Sequence, residues 1–225
     1  MSASRFLSRL RRHRSGVAMT EFALGAPFIL MAGLWGTEEA NFALVNMKVG
    51  QLAVHIADNA SRIGDTSTLE DRKIYESDIN DLIYGAQIQA GAGLNLYANG
   101  RVIISSLANI DPSGGTDEYQ HIQWQRCRGA MPVSSSYGTT GQSMPSGMGP
   151  AAAKVIASPG EAVIFVELVY TYQPLISERF VGRPAIRSIA SFIVRDDRDL
   201  TQIYQRDPAD PDPIQSCGTY TGAIA

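Results

Sequence analysis

The chain has 225 residues, 44% of them apolar, and a formal net charge of −3. That length allows one domain with extra segments, or at most two, and the apolar share is ordinary for a globular protein. The charge is unevenly placed. Arg5, Arg9, Arg11, Arg12 and Arg14 fall within the first 16 residues, which contain no acid, and the rest of the chain carries 14 basic against 22 acidic residues. Nucleic-acid binding needs a basic face on the folded domain, so this distribution argues against it. A basic tip on an acidic chain fits a cytoplasmic end lying beside anionic lipid.

The basic stretch ends at Arg14-Ser15-Gly16, and residues 17–35 follow as V-A-M-T-E-F-A-L-G-A-P-F-I-L-M-A-G-L-W with one charge, Glu21. As a helix this run covers about 28 Å, close to the hydrocarbon thickness of a bilayer. Arginines before it and Glu38 and Glu39 after it orient the N-terminus towards the cytoplasm. A secretory signal peptide would be shorter and would be followed by a small-x-small cleavage site. A plain signal anchor handles the length but leaves Glu21 unexplained. An acid within the membrane costs about 2.5–3.5 kcal/mol on insertion scales and usually has a partner. Pro27 is tolerated in a membrane helix and carries no chemistry of its own.

The segment R-S-G-V-A-M-T-E-F resembles a class of type IV prepilin processing sites, with glycine before the cut and glutamate fifth in the mature chain. Together with Phe22, the proline-interrupted span and the following G-T-E-E, it resembles the TadE/TadG-like minor pseudopilins of the tight-adherence (Flp) pilus. The resemblance implies that a prepilin peptidase cuts between Gly16 and Val17, leaving Glu21 and Phe22 as the processing and inter-subunit pairing motif. It implies further partners in other pilins and pseudopilins, an inner-membrane assembly platform and the lipid bilayer. The expected location is the bacterial inner membrane, single-pass, with a periplasmic C-terminal domain and incorporation into an extracellular pilus as a further expectation. The chemistry is coherent. Cleavage before the apolar run keeps the membrane helix and creates a charged α-amino group at Val17, which Glu21 of a neighbouring subunit can neutralise in hydrocarbon.

Beyond the span, Phe42, Val45, Val49, Leu52, Ile56, Ala60 and Ile63 recur at spacings of three and four, one stripe of a continuing helix. Asn46, Lys48, Gln51, Asp58, Asn59 and Arg62 occupy the other side, and Gly64-Asp65 ends the helix. Thus residues 1–16 read as leader, 17–63 as a transmembrane and amphipathic helix, and 64–225 as an exported domain. In that domain Thr68-Leu69-Glu70-Asp71 predicts the start of a second helix running to about Gln89, closed by Gly91 and Gly93.

Residues 101–107 and 119–126 have strand composition, with Ile122 and Trp124 expected on one face, and Asp111-Pro112-Ser113-Gly114-Gly115 between them supplies the turn of a hairpin. Residues 128–160 are rich in Gly, Ser, Met and Pro and read as a long loop. Residues 161–173 alternate, with Ala162, Ile164, Val166, Leu168, Tyr170 and Tyr172 apolar against Glu167, Thr171 and Gln173, which predicts a half-buried strand stopped by Pro174. A fourth strand is expected over residues 186–194, and the Pro/Asp-rich tail at 207–213 is excluded from helix and central strand. The fold class is therefore α+β, a long N-terminal helix packed on an antiparallel sheet of about four strands, compatible with a pilin-like architecture. The strand V-I-F-V-E-L-V-Y-T-Y-Q-P and the segment W-Q-R-C-R-G also resemble parts of TadE-like proteins, and the length favours the short TadE-like members.

Cys127 and Cys217 are the only cysteines. In an exported domain they are expected to form one disulfide, since free exposed thiols oxidise there; the alternative is two separate buried thiols. His13, His55 and His121 show no metal-ligand spacing, and neither a phosphate-binding glycine loop nor a nucleophile elbow occurs. No catalytic, cofactor-binding or metal site is expected. Asp207, Asp210 and Asp212 have the oxygen chemistry of calcium ligands, but their prolines favour a solvated acidic tail. The competing function is an uncleaved bitopic membrane protein that displays an extracytoplasmic ligand-binding domain.

Overall fold

Residues 15–64, 72–111, 119–195 and 198–222 are described by a computed structural model. Ser15–Ala60 forms one helix, α1, with Pro27 inside it. After it come helices α2 (Glu76–Ala90) and α3 (Leu96–Asn99), strands β1 (Gly100–Ile110), β2 (Tyr119–Arg128) and β3 (Ala162–Thr171), helix α4 (Glu178–Val181) and strand β4 (Ala185–Ile193). The four strands make one antiparallel sheet in the order β2-β1-β3-β4. The α+β expectation therefore holds. The chain divides into two units, one of residues 1–43 with 174–182 and the other of 44–173 with 183–225.

In the second unit the amphipathic stripe is real. Val49, Leu52, Ala53, Ile56, Ala57 and Ala60 are buried, at the three- and four-residue spacings that put them on one helical face. Gln51, His55 and Asn59 are exposed. A Cβ at Gly50 would sit 4.0 Å from Ser188 Oγ of β4, so this face of α1 lies over the sheet. The expected end at Ile63 comes slightly early. Ser61 and Arg62 turn out of the helix, and the buried Arg198 donates to the carbonyls of Ala60 (3.5 Å) and Ser61 (2.6 Å). Those carbonyls lie where a helix runs out of internal donors.

The second helix starts later than the sequence predicts. Thr68 and its acids lie outside the described residues, and residues 72–75 carry extended pairing, Arg72 bridging Arg198 and Tyr75 bridging Tyr204. The turn into α2 follows, where Tyr75 N–H donates to Asp78 Oδ2 at 3.0 Å. Gly91 ends the helix at φ 71, as expected of a C-terminal glycine.

The hairpin of β1 and β2 forms as expected, but its register shifts between Ser106 and Leu107. Trp124 pairs with Ser106 and Ile122 with Leu107. Successive residues of β1 point to opposite faces, so Ile122 and Trp124 do not share the face that simple alternation gives them. Ile122 packs with Leu107, Met148, Ala157, Val163 and Phe165.

Strand β3 also departs from expectation. It is buried along both faces from Ala162 to Tyr170. One face meets the helices: Tyr170 OH donates to Leu94 O at 2.9 Å, and Arg126 of β2 reaches Glu76 of α2. The other face is covered by the segment after β2, from which Tyr137, Met144, Met148, Val155 and Ala157 pack against Val163 and Phe165. The predicted loop at 128–160 contains no helix or long strand, yet it acts as the third layer of the fold.

Candidate functional site

The N-terminal residues singled out above occupy the first turns of α1. Gly16 and Val17 lie at the N-terminal end of the described helix Ser15–Ala60. The leader, residues 1–14, lies outside the described residues. Thr20 Oγ1 donates to Val17 O at 2.8 Å. Glu21 stands four residues after Val17, on the same helical face, and is exposed. Phe22 beside it is 70% exposed. Met19, Leu24, Phe28, Ile29, Leu30, Met31, Leu34 and Trp35 are exposed as well. Helix α1 is thus long and apolar enough to cross a membrane, with none of its apolar span buried within the chain. Glu21 interrupts this apolar surface, and its exposed side chain makes no hydrogen bond or ion pair among the described residues.

The end of the span is marked by polar contacts. Trp35 Nε1 donates to Glu39 Oε1 at 3.0 Å, and Thr37 Oγ1 bonds back to Gly33 O at 2.9 Å. Glu38 is fully buried. Its Oε1 accepts from Leu175 N–H at 3.0 Å and its Oε2 from Ile176 N–H at 2.7 Å. Two backbone donors on one carboxylate make a strong, charge-assisted clamp. In the sequence Glu38 stands out only as a charge that orients the apolar run. The signal available was the position of two adjacent acids just past an apolar run, but no periodicity links Glu38 to residues more than 130 positions later.

Cys127 and Cys217 are joined in a disulfide with Cα atoms 4.7 Å apart. Cys127 N–H donates to Gln215 O at 2.9 Å, so the tail approaches β2 through backbone as well as sulfur. Arg101, fully buried in β1, donates to the carbonyls of Gly129 (2.9 Å), Thr219 (3.0 Å) and Cys217 (2.7 Å). Its guanidinium also lies 4.2 Å from the ring centroid of Tyr220, a cation–π contact. Burial pushes the Arg101 pKa down, and the carbonyl oxygens accept from its two terminal nitrogens while the buried Nε has no partner.

The remaining candidates are not brought together. His55 is exposed on α1. His121 is buried on β2, its Nδ1 2.9 Å from Tyr119 O and its Nε2 2.5 Å from Gln123 Oε1. Cys127 is in the disulfide. Asp207 and Asp210 are exposed on the tail, and Asp207 Oδ1 accepts from Ala209 N–H at 2.9 Å. Among the described residues no group of three or more His, Cys, Asp or Glu side chains is placed to hold a metal ion. Comparisons with protein-family models, with curated proteins and with solved structures find no match to this chain.

Proposed function

We propose that this chain is a minor pseudopilin, a pilus-assembly subunit of the tight-adherence type, anchored by α1 and matured by a prepilin peptidase. The observation that carries the reading is Glu21. It is the single charge within residues 17–35, it follows Gly16 at the spacing of a prepilin motif, and it is exposed on an apolar helix. A membrane acid of that kind calls for a cationic partner, and cleavage after Gly16 would create one at Val17. The continuation of α1 into a stripe buried against an antiparallel sheet also suits a subunit that must join a membrane helix to an exported domain. The disulfide is in keeping with an oxidising compartment.

On this reading Gly16 and Val17 form the processing site, and Glu21 with Phe22 the face that meets neighbouring pilins. The C-terminal domain is periplasmic, and the inner-membrane assembly platform receives the mature subunit. The test is mass spectrometry of the mature N-terminus in cells with and without the cognate peptidase. A chain starting at Val17, and only where the peptidase is present, is the expected result. An intact Met1 in both strains would sink the reading in favour of an uncleaved bitopic protein displaying a ligand-binding domain.

A further inference from the structure

The segment Pro174–Gly182 lies in the same unit as the N-terminal part of α1 and displays apolar side chains outward. Leu175 is 65% exposed, Phe180 37% and Ile176 36%. Its backbone is nevertheless fixed. Leu175 and Ile176 N–H are clamped on the buried Glu38 carboxylate, and Ser177 Oγ accepts from Arg179 N–H at 3.2 Å at the start of α4. A held backbone that turns apolar side chains towards solvent points to a surface that something else covers.

The position of Glu38 indicates what that is. It lies three residues past Trp35, about 4–5 Å further along the helix. Helical side chains lean towards the N-terminus, which brings the Glu38 carboxylate, and the segment hung on it, back to the level where the apolar run ends. The exposed Leu30, Met31, Leu34 and Trp35 thus approach, along the helix axis, the level at which Leu175 and Ile176 are clamped. Tryptophan at such a level is typical of the boundary between hydrocarbon and headgroups. Within the segment the charges of Glu178 and Arg179 cancel, so its attraction to a bilayer would come from apolar burial rather than from anionic headgroups.

We propose that Pro174–Gly182 is a second, interfacial membrane contact, in which Leu175, Ile176 and Phe180 enter the headgroup boundary beside the exit of α1 and Glu38 sets their depth. The proposal rests on the reading of α1 as membrane-spanning. The occupant is the lipid bilayer because the patch is clamped near the level where the apolar belt of α1 ends, and that belt is itself of bilayer length. Its consequence is that the helix exit is held at a defined depth by two elements instead of one.

The experiment uses the full chain in phosphatidylethanolamine/phosphatidylglycerol vesicles. Both native cysteines are in the disulfide, so Leu175→Cys gives a single thiol for an environment-sensitive fluorophore, and Leu34→Cys reports on the span. Quenching is read from lipids carrying a nitroxide near the ester linkage or at the chain end, and from iodide in the water. The expected result is a Leu34 reporter quenched by lipid, and a Leu175 reporter quenched more by the shallow nitroxide than by the deep one or by iodide. Adding Glu38→Ala should abolish lipid quenching at Leu175 and leave that at Leu34. Unchanged Leu175 quenching in that variant would overturn the role of Glu38. A Leu175 reporter quenched only by iodide, with Leu34 in lipid, would overturn the proposal and leave the span intact. Shielding at Leu175 that appears only at high protein-to-lipid ratio would identify a second copy as occupant and also overturn it. A Leu34 reporter untouched by lipid would instead remove the membrane reading on which the proposal stands.

Discussion

Arg126 of β2 and Glu76, the first residue of α2, form a bidentate ion pair: Arg126 Nε donates to Glu76 Oε2 at 2.9 Å and Nη2 donates to Oε1. The Glu76 side chain is 3% exposed and that of Arg126 16%. The carboxylate thus serves two ends, since an acid in the first turn also complements the helix dipole, while the guanidinium fixes where α2 starts over the sheet. Breaking a buried pair from one side leaves the other charge uncompensated. Glu76→Ala should therefore lower stability by about 3–5 kcal/mol. Chemical denaturation of the full chain in nanodiscs, with Arg126→Ala and the double variant completing a cycle, measures it. A double variant no better than the sum of the singles would show that the pair is not coupled.

The disulfide and Arg101 should act together on the C-terminal tail. Cys127 and Cys217 are 90 residues apart, and the chain-entropy model gives about 4–5 kcal/mol for a loop of that size, as an upper expectation. Cys127→Ala with Cys217→Ala should lose up to this amount and raise hydrogen exchange in residues 214–222 first. Retention of full exchange protection there would mean that the Arg101 bonds to Thr219 and Cys217 carbonyls suffice alone.

Glu167 should make stability depend on pH. It is buried on β3, and burial pushes its carboxyl pKa up, against the lowering effects of the Ser135 hydroxyl, the Ser136 N–H and the Arg187 charge. A carboxyl with a raised folded-state pKa binds its proton more readily when folded. Its contribution is full below the ordinary carboxylate value of about 4.3 and is lost as pH rises through the raised folded value. Glu167→Gln stays neutral throughout. The stability of the parent minus that of Glu167→Gln should therefore fall as pH rises across this window and then level off. Denaturation midpoints of both proteins across that range measure it, and a difference that grows with pH would reverse the assignment.

Glu21 should matter for assembly and not for folding. It sits on an exposed face of α1, away in sequence from every residue of the sheet. Glu21→Ala should be processed and reach the membrane at normal abundance, while pilus yield falls. The loss of one member of a buried pair costs about 3–5 kcal/mol per contact. Gly16→Leu, by contrast, should leave the precursor uncut. Membrane abundance of the mature protein and pilus yield, measured in one strain, separate the two variants. Stable, processed Glu21→Ala protein with unchanged yield would refute the pairing role.

Several of these features were legible in the sequence because they repeat. The stripe through Val49, Leu52, Ile56 and Ala60 has helical period, and the alternation through Ile164, Val166 and Leu168 has strand period. The pairing of Cys127 with Cys217 needed only two cysteines and the expectation of an exported domain. What escaped was burial without period. Glu167 reads as the solvent side of β3, yet Ser135 and Ser136 bond to its carboxylate and carry the following segment over that face. Arg101 is simply the first residue of the predicted strand at 101–107, and its burial depends on three carbonyls, two of them from the distant tail. The bulge opposite Ser106 and Leu107 has no turn residue to announce it. At the candidate site, Glu21 was visible by spacing alone, whereas the Glu38 clamp required knowing where residues 174–182 return.

The Cys127–Cys217 bond also closes a covalent ring around β3, α4, β4 and the whole covering segment at 129–160. A protease that nicks that segment would therefore release nothing. The two pieces would stay joined until a reductant opened the ring, with β1 and β2 in one piece and β3 and β4 in the other. A single cut in that covering segment thus leaves one molecule of unchanged mass, apart from an added water, and the sheet keeps all four strands within reach of one another.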